Sequence, residues 1–467
     1  MAKKTVTTSA PASAPNRPPY MLIEQIQVKG YKSLVDATLH VRPLTLLAGT
    51  NSSGKSSIMQ PLLLIKQTME APYQPAGALV LSGAHVQAET AGELVSKITS
   101  QNSPVFVKTI GINILPYDSQ PVAFELAYQV DKGNFKLIQQ ETSSGANLED
   151  KALLKPDSVW GDVYRDLIKA APHREKVFSS LEGTVVEGAN GFLSVLINNK
   201  EGQVVGVLSD SQPLRACLSQ IMHIPGLRGA PSRSYPATFF QGQIKGTFDL
   251  YAAGTINQWR IQKETSLLAT LNKNLRRLDL TDVIVAKEKN ANEIELKVSR
   301  LPAGLREKPK TFEKKSDMVN IADVGIGVSQ VLPILVALIA AQEGQIVYVE
   351  QPELHLHPRA QVVMAELLAE AANRGVRVIV ETHSSLLLLT VQTLIAENKI
   401  KNTDVGLHWF ARDAKGATQV EYKQPDEDGS YGEWPEDFGD VEMKAQREYL
   451  DAATRRQPKR TSDSTAV

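Results

Sequence analysis

The run Gly49-Thr50-Asn51-Ser52-Ser53-Gly54-Lys55-Ser56 constrains this chain more than any other stretch. It follows Pro43 to Gly49, an apolar run that reads as a short buried strand. It precedes SSIMQPLLLIKQTM, which reads as a helix interrupted near Pro61. Glycines at 49 and 54 let the backbone curl so that successive N–H groups face inward as an anion nest. The helix that follows adds the positive end of its dipole. A lysine at 55 has the reach to meet β- and γ-phosphates, and a hydroxyl at 56 suits the oxygen shell of Mg²⁺. The strand–turn–helix setting separates this pattern from a chance glycine turn. It points to nucleotide binding by Gly49, Asn51, Ser52, Ser53, Gly54, Lys55, Ser56 and Ser57.

Three further elements lie downstream. Ile346-Val347-Tyr348-Val349-Glu350-Gln351-Pro352-Glu353 reads as a buried strand that sets Glu350 at the carboxyl edge of a sheet. Phosphates bind at that edge in doubly wound sheets, so Glu350 is expected to hold Mg²⁺ with Ser56. Val380-Glu381-Thr382-His383-Ser384 ends a second buried strand. There His383 is either a hydrogen-bonding group for the γ-phosphate or attacking water, or a bystander in a Thr/Ser helix cap. Asp323 to Gln330, with Gly325, Gly327, Ser329 and Gln330, opens a helix whose N-terminus is either an anion site or an ordinary cap after a flexible loop.

Strands and helices alternate in the last third of the chain, which implies a parallel sheet with helices on its faces. The first strands of that α/β core precede residue 100, and its last strands follow residue 315. Between them VFVKTIGINIL, VAFELAYQV, FKLIQQET and NEIELKVSR read as amphipathic strands, and one long helix is expected from Asn257 to Leu278. The expected organisation is therefore a tail over 1–20, core over 21–100, a mixed β-rich α+β insertion over 101–314, core over 315–451 and a polar tail over 452–467. A chain of 467 residues is long enough for two to three domains.

Charge and cysteine usage remove several classes of function. Lys plus Arg and Asp plus Glu both number 51, so nucleic acid, if bound, meets a local patch rather than a basic surface. The single cysteine, Cys217, excludes an internal disulfide framework and a zinc site built on several thiolates, and it reads as a packed apolar residue. The longest apolar run, Val331 to Ala341, falls short of the roughly 18–20 residues that span a bilayer. Residues 1–20 lack a secretory core. A cytoplasmic protein without a membrane partner is expected. His355 and His357 alternate in a loop without a second ligand cluster, so a zinc pair is disfavoured. The stiff Pro225 to Tyr235 loop carries Arg228 and Arg233 either as an anion clamp or as a solvated basic loop.

In order and type these motifs resemble those of ABC-type ATPases, and more narrowly those of the soluble RecF-like, OLD-type group. The group's opening strand is matched by Lys29-Gly30-Tyr31-Lys32-Ser33, and its Pro-Glu-Leu-His-Leu-His-Pro run by Pro352 to Pro358. The resemblance covers roughly 21–100 and 315–415. It implies that Asn51, Lys55 and Ser56 belong to Walker A, Glu350 to Walker B, Gly327, Ser329 and Gln330 to the signature, and His383 to the switch position. It further implies an α/β P-loop fold, ATP and Mg²⁺ as cofactors, and a homodimer or larger homo-oligomer that sandwiches ATP. A role as switch in a bacterial antiviral module, beside a separate effector, is implied too; a DNA-repair or DNA-tethering ATPase is the alternative. No acidic Toprim-like cluster follows the ATPase motifs. Two departures stand out: the signature reads IGVSQ, and Gln351 occupies the place of the usual catalytic glutamate. An amide cannot take a proton from water, so hydrolysis is expected to be slow unless Glu353, or His383 with Glu381, supplies the base.

Overall fold

The computed structural model describes residues 22–72, 78–98, 108–115, 122–144, 150–170, 182–187, 192–208, 211–239, 244–300, 317–432 and 447–452. The tail expected over 1–20, and all of the tail expected over 452–467 except residue 452, lie outside the described residues.

The central sheet has the strand order Met222–Ile224, Ile346–Glu350, Arg377–Glu381, Leu44–Gly49, Val405–Arg412, Thr418–Lys423. The first five strands run parallel and the last pairs antiparallel. Side chains alternate across a strand, and the sequence uses that period to serve two cores. Leu44, Leu46, Ala48, Val347, Val349, Val378 and Val380 face one apolar cluster; Leu47, Tyr348, Ile346 and Ile379 face the other. The first cluster is closed by helices Ile326–Ala340, Pro358–Asn373 and Ser385–Ala396, backed by Ala252–Ile261 and Thr265–Arg277. The second is closed by the helix Lys55–Glu70 and by an antiparallel sheet. That sheet runs in the order Leu34–His40, Leu22–Tyr31, Lys108–Leu115, Val122–Asp131, Asn134–Ser144, Asp150–Leu154. The fold is thus mixed α/β, with a P-loop sheet between helical and β layers.

Three details differ from the sequence reading. The helix after the phosphate loop is unbroken over Lys55–Glu70 with Pro61 inside it. Pro61 costs one backbone hydrogen bond, and its buried ring lines a small apolar cavity with Val28, Tyr31, Leu64 and Tyr128. The single helix expected over 257–278 is two helices. The chain reverses at Lys263, which has φ 59°, and the Glu264 N–H returns to Trp259 O at 2.8 Å. The span 101–314 is also not wholly separate from the core. Met222–Ile224 within it is the edge strand of the central sheet, and Ala252–Ile261 and Thr265–Arg277 pack into the core's helical layer.

Candidate nucleotide-binding site

Gly49 ends the central strand with φ 141°, and a Cβ there would meet Phe410 O at 2.0 Å. Close passage beside the neighbouring strand, as well as curvature, therefore requires the glycine. Gly54 caps the next helix with φ 100°, where a Cβ would lie 2.7 Å from Thr418 Oγ1. The loop between them is braced from the antiparallel strand pair. Thr418 Oγ1 contacts Ser53 O and Ser33 Oγ, both at 2.7 Å, and Arg412 Nε donates to Ser52 O at 2.7 Å. The Lys29–Ser33 motif gains a physical role here. Tyr31 Oη and Lys32 Nζ both donate to Gln60 Oε1 on the phosphate-loop helix, at 3.1 and 2.7 Å.

Thr50, Asn51 and Ser52 are exposed, Ser53 is buried, and Gly54, Ser56 and Ser57 are half-buried. Lys55 is buried and its ammonium donates to Gly49 O at 3.1 Å and Thr50 O at 2.7 Å. Burial lowers its pKa, against the nearby charges of Glu381 and Glu353. The loop offers an anion what it needs: a buried cation, helix N-terminal N–H groups, and the Ser53 hydroxyl, a buried polar atom with no partner.

Parallel register brings three strand ends together here. Glu350 lies beside Glu381, and Glu381 beside Leu47 of the phosphate-loop strand. Ser56 Oγ donates to Glu381 Oε1 at 2.9 Å, and Tyr348 Oη donates to Glu381 Oε2 at 3.2 Å. The carboxylate bonded to the Ser56 hydroxyl is thus Glu381, the cross-strand neighbour of the Glu350 that is expected to share Mg²⁺ with Ser56. Glu350 is held instead by His223 Nε2 at 3.2 Å and by the Gly226 N–H at 3.0 Å. Burial pushes the Glu350 carboxyl up, but these hydrogen bonds outweigh it and hold the group below its ordinary value. Glu381 goes the other way: burial raises it despite the bond from Ser56.

Gln351 takes a left-handed conformation, φ 46°, and its N–H donates to Glu381 O at 2.7 Å. Glu353 Oε1 accepts the His383 N–H at 2.7 Å, whereas Glu353 Oε2 is buried without a partner and burial raises the carboxyl's pKa. His383 is half-buried, and burial, then the Lys55 charge, lowers its pKa, favouring a neutral ring. Ser384 caps the next helix by accepting the Leu387 N–H at 3.0 Å, as the capping reading of this segment expects.

The residues expected to form the signature part company. Ser329 is half-buried near the start of its helix and its hydroxyl donates to Ile326 O at 2.8 Å. Gly327 packs close to the His355 backbone, 3.4 Å from where a Cβ would sit. Gln330 is buried, and its amide donates to Arg228 O and Gly229 O. Arg228 is neither clamp nor solvated loop. It is buried and donates to Gln330 O, Glu350 O and Gln351 O at 3.0, 3.1 and 2.8 Å, a strut from the helix Ile326–Ala340 to the strand Ile346–Glu350. Burial brings its pKa down to about 10. Arg233 is exposed and pairs with Asp323 at 2.7 Å. His357 caps its helix, and among the described residues no three His, Cys, Asp or Glu side chains are grouped to hold a metal by themselves. The Cys217 thiol is pushed up to about 12 by burial, which suits packing rather than nucleophilic chemistry. Among the described residues no helix is long and apolar enough to cross a membrane.

Sequence reasoning singled out Arg228 without its role as a buried strut, and missed His223 and the pairing of Glu381 with Ser56. Glu381 carried a signal, since it ends a buried strand just as Glu350 does; His223 carried none.

Two family models match the chain. Residues 21–182 match "AAA ATPase domain" and residues 216–389 match "AAA domain, putative AbiEii toxin, Type IV TA system". Each match spans less than half of the chain; the chain is similar to AAA ATPase domains over these two stretches, the first holding the phosphate loop and the second the strand-end carboxylates Glu350 and Glu381. No curated protein matches the chain. Among solved structures the chain is similar to an SMC head bound to the C-winged helix domain of ScpA. The identity is 13% over 87% of this chain and 98% of that one, with a TM-score of 0.43. It is also similar to the SMC head domain from Thermotoga maritima, at 11% identity over 86% and 98% of the two chains and a TM-score of 0.38. A third is the Smc head domain bound to the C-terminal domain of ScpA derived from Pyrococcus furiosus, at 12% identity, 94% and 100% coverage and a TM-score of 0.40.

Proposed function

We propose that the chain is a cytoplasmic ATP-dependent switch that hydrolyses ATP slowly and works in a bacterial antiviral module beside a separate protein effector. One observation carries the switch reading. Lys55, Ser56, Glu350, Glu381, Glu353 and His383 converge at one sheet edge, and the residue after the Walker B carboxylate is the amide Gln351. Bound ATP with Mg²⁺ supplies the phosphoanhydride to be cleaved and the charge that polarises it. Lys55 and the loop N–H groups from Gly49 to Ser57 bind the phosphates. Ser56, Glu350 and Glu381 offer the hard oxygen ligands that Mg²⁺ prefers. Gln351 orients water without accepting its proton, so the ATP-bound state is long-lived. Gly327 and Ser329 sit at a helix start able to close a phosphate from a second copy, which supports an ATP-sandwiched dimer. Buried Gln330 braces that helix from behind. The toxin-system wording of the match over 216–389 supports the defence setting.

The test has two arms. Calorimetry with Mg²⁺–ATP should show binding in the native protein and none after Lys55→Ala; equal affinities would overturn the site. Phage challenge of cells carrying the chain with its genomic neighbour should show protection that Lys55→Ala abolishes. Protection unaffected by Lys55→Ala would overturn the switch.

A further inference from the structure

Behind the site, buried polar groups from four separate segments form a line. Lys66 Nζ lies 2.6 Å from Glu70 Oε1 on the phosphate-loop helix. Glu70 Oε2 accepts the Gly246 N–H at 2.8 Å and lies 3.5 Å from His85 Nε2. His85 Nδ1 is 2.9 Å from His223 Nδ1, and His223 Nε2 is 3.2 Å from Glu350 Oε1. The Lys66 and His85 side chains are fully buried, and His223 is 2% exposed. The His223 ring also stacks on Tyr348, centroids 5.2 Å apart and planes 14° apart, and Tyr348 bonds Glu381.

Glu70 and Glu350 stand at opposite ends of the histidine pair, and the shorter contact, at Glu350, sets the direction of this line. An ionised carboxylate only accepts, so the bond at Glu350 needs the hydrogen on His223 Nε2. A neutral imidazole carries one ring hydrogen, which leaves His223 Nδ1 an acceptor and makes His85 Nδ1 the donor. His85 then has no hydrogen on Nε2, whose 3.5 Å approach to Glu70 Oε2 is longer than the 3.2 Å bond at Glu350 and lacks hydrogen-bond geometry. Burial lowers the His85 pKa, consistent with a neutral ring.

We propose that His223 is the positioning residue of the site: its Nε2–H, set in that tautomer by His85, aims Glu350 at the metal position. This rests on the nucleotide-site reading above. Partners that orient a metal-holding group in this way are typically worth about 10–100-fold in metal affinity.

The test compares His223→Gln with His223→Asn in the full chain. A glutamine amide reaches the depth of Nε2, whereas an asparagine amide reaches only that of Nδ1. Mn²⁺ affinity is read by electron paramagnetic resonance with a non-hydrolysable ATP analogue, and nucleotide affinity without metal by calorimetry. His223→Asn should weaken Mn²⁺ by about 10–100-fold with metal-free nucleotide affinity unchanged, and His223→Gln should stay within about 3-fold of native. Native Mn²⁺ affinity in His223→Asn, or equal losses in both variants, would overturn the proposal. The tautomer is read independently in ¹⁵N-histidine-labelled protein without metal or nucleotide. There His223 should carry its hydrogen on Nε2 and lose that preference in His85→Phe; hydrogen on Nδ1 in the native protein would also overturn it. If native protein binds no nucleotide, the site reading fails instead, and the tautomer measurement still decides whether His223 holds Glu350.

Discussion

Gln351→Glu tests the slow-switch reading through two quantities that should move in opposite directions. The backbone at this position is pinned, with its N–H on Glu381 O at 2.7 Å and its carbonyl accepting Arg228 Nη2 at 2.8 Å. The substitution therefore changes charge without moving the chain. The Gln351 and Glu350 side-chain oxygens lie 3.3 and 3.5 Å from one point, the ideal Cβ position at Gly226. At most about 7 Å thus separates them, and two like charges at that distance repel by about 2 kcal/mol at an effective dielectric of about 20. Without metal at pH 8, Gln351→Glu should lower the apparent unfolding free energy by about 2 kcal/mol. A carboxyl raised by its neighbours costs stability only when ionised, so the loss should fade as pH falls toward about 4 and be relieved by Mg²⁺–ATP. Turnover should rise by about 10²–10⁴, the usual worth of one general base. Urea unfolding with and without Mg²⁺–ATP, and phosphate release under single-turnover conditions, measure the two. Flat turnover in Gln351→Glu, together with abolished turnover in Glu353→Gln, would assign the base to Glu353 and refute the slow switch.

Lys55→Ala should remove Mg²⁺–ATP binding in calorimetry while thermal unfolding stays near native. The variant loses bonds to two carbonyls but also relieves a cation that burial disfavours. ATP, but not ADP, should drive self-association in sedimentation velocity, and Ser329→Arg should block it; unchanged assembly would count against the sandwich. His408 is fully buried, and burial, then His40 and Arg42, holds it down to about 3. A depressed base stabilises the fold above its unfolded pKa of roughly 6.5, and the benefit drains away as pH falls toward 3, so about 2 kcal/mol should be lost by pH 5. His408→Gln, which keeps an acceptor for the His40 N–H, should lack this loss in urea unfolding at pH 7 and 5.

Local patterns were legible because their physics is local. The phosphate loop is a contiguous run whose glycines, lysine and serine act within one turn, and the strands Ile346–Glu350 and Arg377–Glu381 announce burial by unbroken apolar sequence. Elements stabilised from a distance were not. Met222–Ile224 is three residues long, and only its pairing with Val347–Val349 makes it a strand. Lys263 breaks a helical pattern at a residue that favours helix, since Glu264 finds Trp259 O instead. Pro61 reads as a breaker until the apolar neighbours of its ring are known.

The site itself depends on register more than on motif. Glu350 and Glu381 look alike in sequence, each the last residue of a buried strand. Which one meets Ser56 is decided by the parallel alignment of Glu381 with Leu47. A slip of one residue would turn Glu381 to the opposite face and leave Ser56 without its carboxylate. The same rule separates Tyr348 from its neighbours: Val347 and Val349 face the helical layer, so Tyr348 must face the phosphate-loop helix, where its hydroxyl meets Glu381 and its ring meets His223. His223 in turn sits between Met222 and Ile224, both in the helical-layer core, so period two sends its ring across the sheet to Glu350. Alternation that sorts apolar side chains between two cores thus also delivers the polar ones to a single edge, and no residue of this set can change faces without unpacking a core.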